Sequence, residues 1–266
     1  KMSWINANTK LFGLVGHNIS YTLSPAIHNY IFQETGYNAI YLAFDIPEEK
    51  FGRDIYTIID LCEGINITIP YKEKVIEFLN DIDHNSERIG AVNTIHRGRG
   101  YNTDYIAIKS LVNEKMGSIA GMICYIYGAG GAAKASAVAL GDLGCKLFIV
   151  NRSVERAVEL VRRLGRLGYE AYVGNTCTDS VDIVVNATPN PSYVHDSCLT
   201  AKLVVELVYT PVETILVRKA KNRGVKIVNG IEVLVRQAIE SQKIWNGIYF
   251  PEDRVIGYLY GRKFIW

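Results

Sequence analysis

The 266-residue sequence lacks the features of several protein classes. No apolar run approaches the length of a membrane span, and the N-terminus Lys1-Met2-Ser3-Trp4 has no hydrophobic signal core. Charge of one sign does not dominate, because 29 lysines and arginines face 27 aspartates and glutamates, and the basic residues are scattered. We therefore expect neither a nucleic-acid partner nor a membrane partner.

Cysteine is scarce, and its spacing is uninformative about ligands. The five cysteines form no C-x-x-C pair and are Cys62, Cys124, Cys145, Cys177 and Cys198. An odd number of widely spaced cysteines predicts reduced thiols that mostly fill the core of a cytoplasmic protein. The pattern argues against a zinc site and against a disulfide framework, so we expect no metal.

Internal repeats and low-complexity segments are also missing, and short apolar runs alternate with amphipathic segments along the whole chain. The predicted strands are residues 11–15, 39–46, 64–69, 91–96, 122–127, 146–150, 182–186, 203–207 and 225–228. The predicted helices are residues 25–35, 48–60, 72–79, 134–143, 233–246 and 255–260. This alternation predicts an α/β protein with parallel sheets and helices on both faces.

The most informative segment present is the glycine turn Gly128-Ala129-Gly130-Gly131-Ala132-Ala133. It spells G-x-G-x-x-A between a predicted buried strand and a predicted helix, which is the context of a dinucleotide site. Glycines allow the backbone to approach a pyrophosphate, and the helix N-terminus offers N–H donors to it. A glycine turn used only for packing is the alternative. A complete α/β unit precedes the turn, which suggests two domains with a ligand cleft between them.

The residues after the next strand indicate which dinucleotide is bound. A carboxylate that binds the ribose of NAD is expected there, but the chain has Asn151-Arg152-Ser153. A guanidinium suits the additional phosphate of NADP, and Arg156 lies one helical turn further on. The alternative is that Arg152 is a solvated surface charge. We predict NADP as the cofactor.

The first half of the chain carries its own polar residues. Thr22 and Ser24 precede a predicted helix, where Ser24 is also a plausible N-cap before Pro25. Asn66, Thr68 and Lys72 follow a predicted strand, at a usual ligand position of open α/β sheets. The pairs Asn93-Thr94 and Asn102-Thr103, the second followed by Asp104, flank a predicted hairpin at residues 97–100. The physical pattern alone leaves their role open.

Together these segments resemble the shikimate dehydrogenase family over nearly the whole chain. The matching segments are residues 16–29 (GHNISYTLSPAIHN), 66–72 (NITIPYK), 90–94 (GAVNT), 102–104 (NTD), the glycine turn, 151–156 (NRSVER), 186–189 (NATP), 208–211 (VYTP) and 234–238 (LVRQA). Nine segments in the same order make the resemblance specific. It implies NADPH-dependent reduction of 3-dehydroshikimate to shikimate in the aromatic amino-acid (chorismate) pathway.

The resemblance also implies roles for individual residues. Lys72 and Asp104 are the implied catalytic pair beside the C3 oxygen. The implied substrate-binding residues are Thr22 and Ser24 for the carboxylate, and Thr68, Asn93, Tyr209 and Gln237 for the rest of the ring. The implied cofactor-binding residues are Gly128, Ala129, Gly130, Gly131, Ala132, Asn151, Arg152, Ser153, Arg156, Thr188 and Gly230. The implied domains are residues 1–107 for substrate, 108–235 as a Rossmann-type NADP domain, and 236–266 as helices that return to the first domain.

Several positions depart from the family pattern. They are the Tyr21-Thr22 pair, Ala107, Asn190-Pro191, Glu206 and Glu232. The changes at Pro191 and Glu232 bear on the nicotinamide contacts, and Thr22 bears on the substrate. The alternatives are therefore a quinate/shikimate dehydrogenase with broader substrate and cofactor use, and a non-catalytic NADP-binding sensor. A homodimer is compatible with the sequence.

Overall fold

A computed structural model describes residues 5–177 and 180–266. The chain divides into two compact units. The first unit contains the chain up to Thr103 together with Val235–Phe264, and the second contains Asp104–Leu234 and Ile265–Trp266. Helices α4 (Thr103–Met116) and α8 (Gly230–Asn246) carry the chain from one unit to the other. The predicted two-domain α/β class is confirmed.

The first unit is built on one six-stranded sheet. Its strands are β1 (Lys10–Gly16), β2 (Ala39–Asp45), β3 (Gly64–Ile67), β4 (Asp81–Ile82), β5 (Thr94–His96) and β6 (Arg99–Tyr101). Its helices besides α8 are α1 (Ser24–Thr35), α2 (Glu48–Leu61), α3 (His84–Ile89) and α9 (Glu252–Gly261). The strand order is β2-β1-β3-β5-β6-β4. β1 is parallel to β2 and β3, so the carboxyl ends of these three strands share one edge.

The predicted hairpin at residues 97–100 is present in this unit, and one helix prediction was wrong. β5 pairs antiparallel with β6 across the turn at Arg97-Gly98 and also with β3, so the sheet is mixed rather than wholly parallel. The segment predicted as a helix at residues 72–79 is a short 3-10 turn, Lys74–Phe78. Val75 is the buried residue of this turn, and a single 3-10 turn is too short to form an apolar stripe along a helix.

The end of α8 is anchored in the first unit by Trp245. Its ring packs on Phe12 at 5.2 Å between centroids, and its indole N–H donates to the Ile95 carbonyl at 3.0 Å. Gly64 lies under the ring, where a Cβ atom would come within 2.5 Å of it. A side chain at Gly64 would therefore displace the indole. On the other face of the sheet, Phe51 stacks on Tyr71 at 4.0 Å.

The second unit contains a sheet of six parallel strands. They are β7 (Ile123–Tyr127), β8 (Lys146–Val150), β9 (Ala171–Val173), β10 (Ile183–Asn186), β11 (Leu203–Glu206) and β12 (Lys226–Val228), in the order β12-β11-β10-β7-β8-β9. Helices α5 (Gly131–Asp142), α6 (Val154–Arg166) and α7 (Ile215–Asn222) follow β7, β8 and β11. β10 and β11 are buried throughout, as expected for strands covered on both faces.

The prediction of reduced thiols was wrong for two cysteines. Cys177 and Cys198 form a disulfide within the second unit, and both are buried. It ties the segment after β9 to a 3-10 turn, Asp196–Thr200, that follows β10. Cys62, Cys124 and Cys145 are free thiols. The odd count hid the pair because sequence spacing carries no information about which cysteines meet in space.

Among the described residues, no helix is long and apolar enough to cross a membrane. The described part of the chain also contains no cluster of three or more histidine, cysteine, aspartate or glutamate side chains arranged to hold a metal ion.

Candidate active site

The loop that carries Thr22 and Ser24 is held by a carboxylate at the end of β2. Asp45 accepts hydrogen bonds from the Asn18 and Ile19 backbone N–H groups at 3.0 and 3.2 Å, and it lies 3.0 Å from His17 Nδ1. These contacts, the His17 interaction above all, lower the pKa of Asp45. The carboxylate therefore stays ionised and fixes the loop at the sheet edge.

Ser24 is not used as a helix cap. The residue preceding α1 is Leu23, and no side chain caps this helix end. The Ser24 backbone N–H instead donates to the Thr22 hydroxyl at 3.3 Å. The Ser24 side chain lies beside the hydroxyl of Tyr41. Burial raises the pKa of this hydroxyl well above its ordinary value. The N-cap interpretation of Ser24 is therefore wrong.

Asn66, in β3, is at the centre of a buried polar network. Its Oδ1 accepts from the Tyr41 hydroxyl at 2.8 Å. Its Nδ2 donates to Ser241 Oγ at 3.0 Å, and it also lies within 3.1 Å of Thr94 Oγ1 and 3.2 Å of the Asn93 carbonyl. Buried amides require such partners because an unsatisfied one is costly. The network fixes the strand end from which Thr68 and Lys72 follow.

Two of the predicted substrate residues belong to the same network. Asn93 Oδ1 accepts from the Thr103 backbone N–H at 2.7 Å, and Asn93 Nδ2 donates to Thr103 Oγ1 at 2.9 Å. Thr103 Oγ1 in turn donates to Gln237 Oε1 at 3.4 Å. The first unit thus brings Asn93 and Gln237, which are 144 positions apart in the sequence, to one threonine.

Thr68 and Lys72 lie on either side of a cis Ile69–Pro70 bond, and both are half-buried. The Tyr71 hydroxyl donates to the Ile46 carbonyl, and the Lys72 carbonyl accepts from the Val92 N–H at 2.8 Å. The backbone on both sides of the Lys72 side chain is therefore fixed. Asp104 is half-buried in the first turn of α4 and belongs to the second unit, as does the half-buried Tyr209.

The glycine turn of the second unit has the geometry expected of a phosphate cradle. Gly128 has φ +120°, and a Cβ atom there would come within 2.9 Å of the Ala187 carbonyl oxygen. Gly130 precedes α5 without any side-chain cap on that helix end. Gly131 and Ala132 form its first turn. Backbone N–H groups at an uncapped helix N-terminus are suited to a pyrophosphate, so this observation fits a dinucleotide.

The residues after β8 present two arginines at a second helix N-terminus. Ser153 caps α6 by accepting from the Arg156 N–H at 3.4 Å, and Asn151 Nδ2 donates to the Ser153 carbonyl at 2.9 Å. Arg152 lies just before the cap and Arg156 in the first turn, and both are exposed. Two guanidinium groups and a helix N-terminus suit the additional phosphate of NADP.

A third loop of the second unit is organised by Asn186. Its Oδ1 accepts from the Thr188 N–H at 3.1 Å and from the Thr188 hydroxyl at 2.7 Å, and its Nδ2 donates to Glu206 at 2.9 Å. Glu206 also accepts from the Val208 N–H at 3.0 Å and from the Thr214 hydroxyl at 2.9 Å. Burial raises the pKa of this carboxyl. Thr188 is therefore held by a buried amide–carboxylate pair.

Two departures from the family pattern have local explanations. Asn190 caps the 3-10 turn Pro191–Tyr193 by accepting from the Ser192 N–H at 3.0 Å. Glu232 and Asn229 exchange hydrogen bonds at the start of α8, at 2.8 and 3.0 Å, as a capping box, and Glu232 lies 3.5 Å from Lys115 Nζ. The Glu232 carboxylate is thus engaged by its own helix and by Lys115.

Gly230 has no room for a side chain. A Cβ atom there would come within 2.6 Å of the Val208 carbonyl oxygen and 2.8 Å of the Leu207 carbonyl oxygen. The predicted cofactor residue therefore lies where two backbone segments of the second unit approach closely.

Sequence reasoning missed several residues that support these groups. They are His28, Tyr41, Asp45, Ser241 and Gln242. Four of them are fully buried polar or aromatic side chains in segments that are predominantly apolar. Polar side chains on the core face of α1 and α8 were the available signal, because buried polar groups require partners.

A parallel sheet with a glycine turn, an uncapped helix N-terminus and a pair of arginines is typical of dinucleotide-binding α/β proteins. Comparison with known proteins specifies the family. The family model described as shikimate dehydrogenase substrate binding domain matches residues 14–95, and that described as shikimate / quinate 5-dehydrogenase matches residues 110–211. The chain belongs to the shikimate dehydrogenase family.

Individual relatives match over nearly the full length. The shikimate dehydrogenase (NADP(+)) of Saccharolobus islandicus is 52% identical over 265 residues, covering 98% of each chain. The crystal structure of shikimate dehydrogenase from Aquifex aeolicus has a TM-score of 0.85 at 32% identity and covers 96% of this chain and 99% of its own. The Thermus thermophilus enzyme in complex with NADP(H) and shikimate has a TM-score of 0.82 at 27% identity, covering 96% and 100%.

Proposed function

We propose that this protein is an NADP-dependent shikimate dehydrogenase that interconverts 3-dehydroshikimate and shikimate. The observation that carries the proposal is the 52% identity, over the full chain, to a relative of that name. The side chains agree with it. Thr22, Ser24, Thr68, Asn93 and Gln237 are hydroxyl and amide groups, which donate and accept hydrogen bonds as a polyhydroxylated acid requires.

NADPH supplies the hydride when bound. The chain supplies the phosphate contacts, for which we propose the glycine turn, Arg152 and Arg156, and the proton transfer. In our proposal, the Lys72 ammonium stabilises the negative charge that develops on the C3 oxygen and then donates a proton to it. Asp104 orients Lys72 and accepts a hydrogen bond from a ring hydroxyl. A two-residue proton-transfer pair favours an enzyme over a sensor that only binds NADP.

The test is a steady-state assay of the purified protein with shikimate and NADP, beside quinate and NAD. We expect the highest kcat/KM for shikimate with NADP, whereas a higher value for quinate with NAD would support the broader enzyme. Lys72→Ala should abolish turnover and leave NADP affinity unchanged. Lys50→Ala, an exposed lysine in α2 of the same unit, is the matched control and should keep full activity. Full turnover by the Lys72 variant would refute the mechanism.

The cytoplasmic location and the homodimer stay predictions from the sequence. Size-exclusion chromatography with light scattering measures the oligomeric state directly.

A further inference from the structure

His28 is a buried titratable group for which the proposed mechanism has no use. It lies in α1 with no exposed surface, one helical turn after Ser24. Its ring stacks on Tyr41 at 4.4 Å between centroids, with an angle of 16° between the planes, and it lies 5.2 Å from the Trp245 ring. Burial lowers its pKa to about 3, so the imidazole is neutral at physiological pH.

The hydrogen bonds around the ring determine which nitrogen carries the proton. Asn246 Nδ2 donates to Gln242 Oε1 at 3.1 Å, which orients the Gln242 amide. Gln242 Nε2 is therefore the group 2.8 Å from His28 Nδ1, and Nδ1 must accept. The proton of the neutral ring is consequently on Nε2. Within the described residues, this buried Nε2 has no hydrogen-bond partner.

A buried N–H without a hydrogen-bond partner is costly, and the side chains near His28 Nε2 indicate its acceptor. The Asn66 side chain lies close enough to the ring to offset part of the lowering of the His28 pKa. Asn66 Oδ1 already accepts from the Tyr41 hydroxyl and has a second lone pair. The Ser24 side chain lies beside that same Tyr41 hydroxyl. Hydrogen bonds in substrate sites are often long until the substrate is in place.

We propose that His28, held by Gln242, is a positioning residue of the substrate pocket, acting through Asn66 and Tyr41 on Ser24. In this proposal, the His28 Nε2–H donates to Asn66 Oδ1 when substrate is in place, and the stacked His28 ring fixes the Tyr41 hydroxyl beside Ser24. The inference rests on the proposed function, because Ser24 is the group assigned to the substrate carboxylate. Its effect belongs to substrate binding, since His28, Gln242, Asn66, Tyr41 and Ser24 all lie in the first unit.

The test separates positioning from stability by means of a paired substitution. His28→Phe keeps an aromatic ring but leaves the Gln242 amide unsatisfied, so both the Tm and the substrate KM should change. His28→Phe with Gln242→Leu removes both polar partners and should restore most of the Tm. In both variants we expect the KM for shikimate to rise about tenfold, with kcat and the KM for NADP within about twofold of wild type.

Phe12→Leu is the matched control, because Phe12 is equally buried in the same unit and packs on Trp245. It should lower the Tm and leave the KM for shikimate unchanged. A double variant with the wild-type KM would overturn the inference, because His28 would then act only on stability. Wild-type protein without activity on shikimate and NADP would instead refute the proposed function, and the inference with it.

Discussion

The buried, neutral His28 predicts that the first unit loses stability at acid pH. Its pKa is lowered from the ordinary 6.5 to about 3 by burial. Between these values the unfolded chain binds a proton that the folded chain does not, so stability falls as pH falls below 6.5. One pKa unit is worth about 1.36 kcal/mol, which gives a loss of about 2 kcal/mol at pH 5 and about 4 kcal/mol at pH 3, where half of the folded molecules have bound the proton.

The neighbours of the ring support this assignment. Tyr41, Gln242 and Trp245 carry no charge between pH 4 and 8, so none of them compensates an imidazolium. The measurement is urea unfolding at half-unit steps from pH 4.5 to 8, followed by the fluorescence of the buried Trp245. The His28→Phe, Gln242→Leu variant should lack the part of the loss that comes from His28, so its stability should fall less steeply than that of wild type below pH 6.5. Parallel pH profiles of the two proteins would refute the assignment.

Three further predictions concern the second unit. Arg152→Ala should weaken NADP binding about 10- to 100-fold and leave NAD binding unchanged in calorimetric titrations, while Arg166→Ala, exposed at the far end of α6, should change neither. Replacing both Cys177 and Cys198 by alanine should lower the free energy of unfolding by about 3 kcal/mol, because a cross-link spanning 21 positions is lost. Dithiothreitol should cause the same loss in wild type and no loss in the double variant. An equal effect of Cys124→Ala, which removes a buried free thiol, would contradict this prediction. Burial raises the pKa of Glu206, so above pH 4.5 the folded wild type holds a proton that the unfolded chain has lost. The stability of wild type relative to the Glu206→Gln variant should therefore fall as pH rises from 4.5. A difference in denaturant midpoints that does not change with pH would refute this prediction.

The fold class could be predicted because its signals are local. β7, the glycine turn and α5 are consecutive in sequence, and their order alone predicts a dinucleotide unit. The antiparallel β5–β6 pair could be predicted for the same reason, because the short Arg97-Gly98 turn joins two strands of three residues each. The 3-10 turn at Lys74–Phe78 could not, because its apolar spacing is compatible with a longer helix.

The polar network of the first unit could not be predicted in the same way. Asn66 and Ser241 are 175 positions apart, and His28 and Gln242 are 214 apart. Periodicity assigns a residue to a face of its own element and says nothing about which face it meets. The disulfide was missed for the same reason, because Cys177 lies after β9 and Cys198 lies in the 3-10 turn Asp196–Thr200, 21 positions away.

Two departures from the family pattern show how a polar side chain at a helix start is satisfied by the local backbone. Glu232 introduces a carboxylate at the start of α8, yet its oxygens accept from the Asn229 N–H and lie near Lys115. Asn190 likewise accepts from the Ser192 N–H that follows Pro191. Helix starts leave backbone N–H groups without internal partners, so a polar side chain that appears there is satisfied by its own backbone. Asn66 and His28 lie where no helix end requires a cap, so their buried polarity has another cause, which in our proposal is the positioning of Ser24.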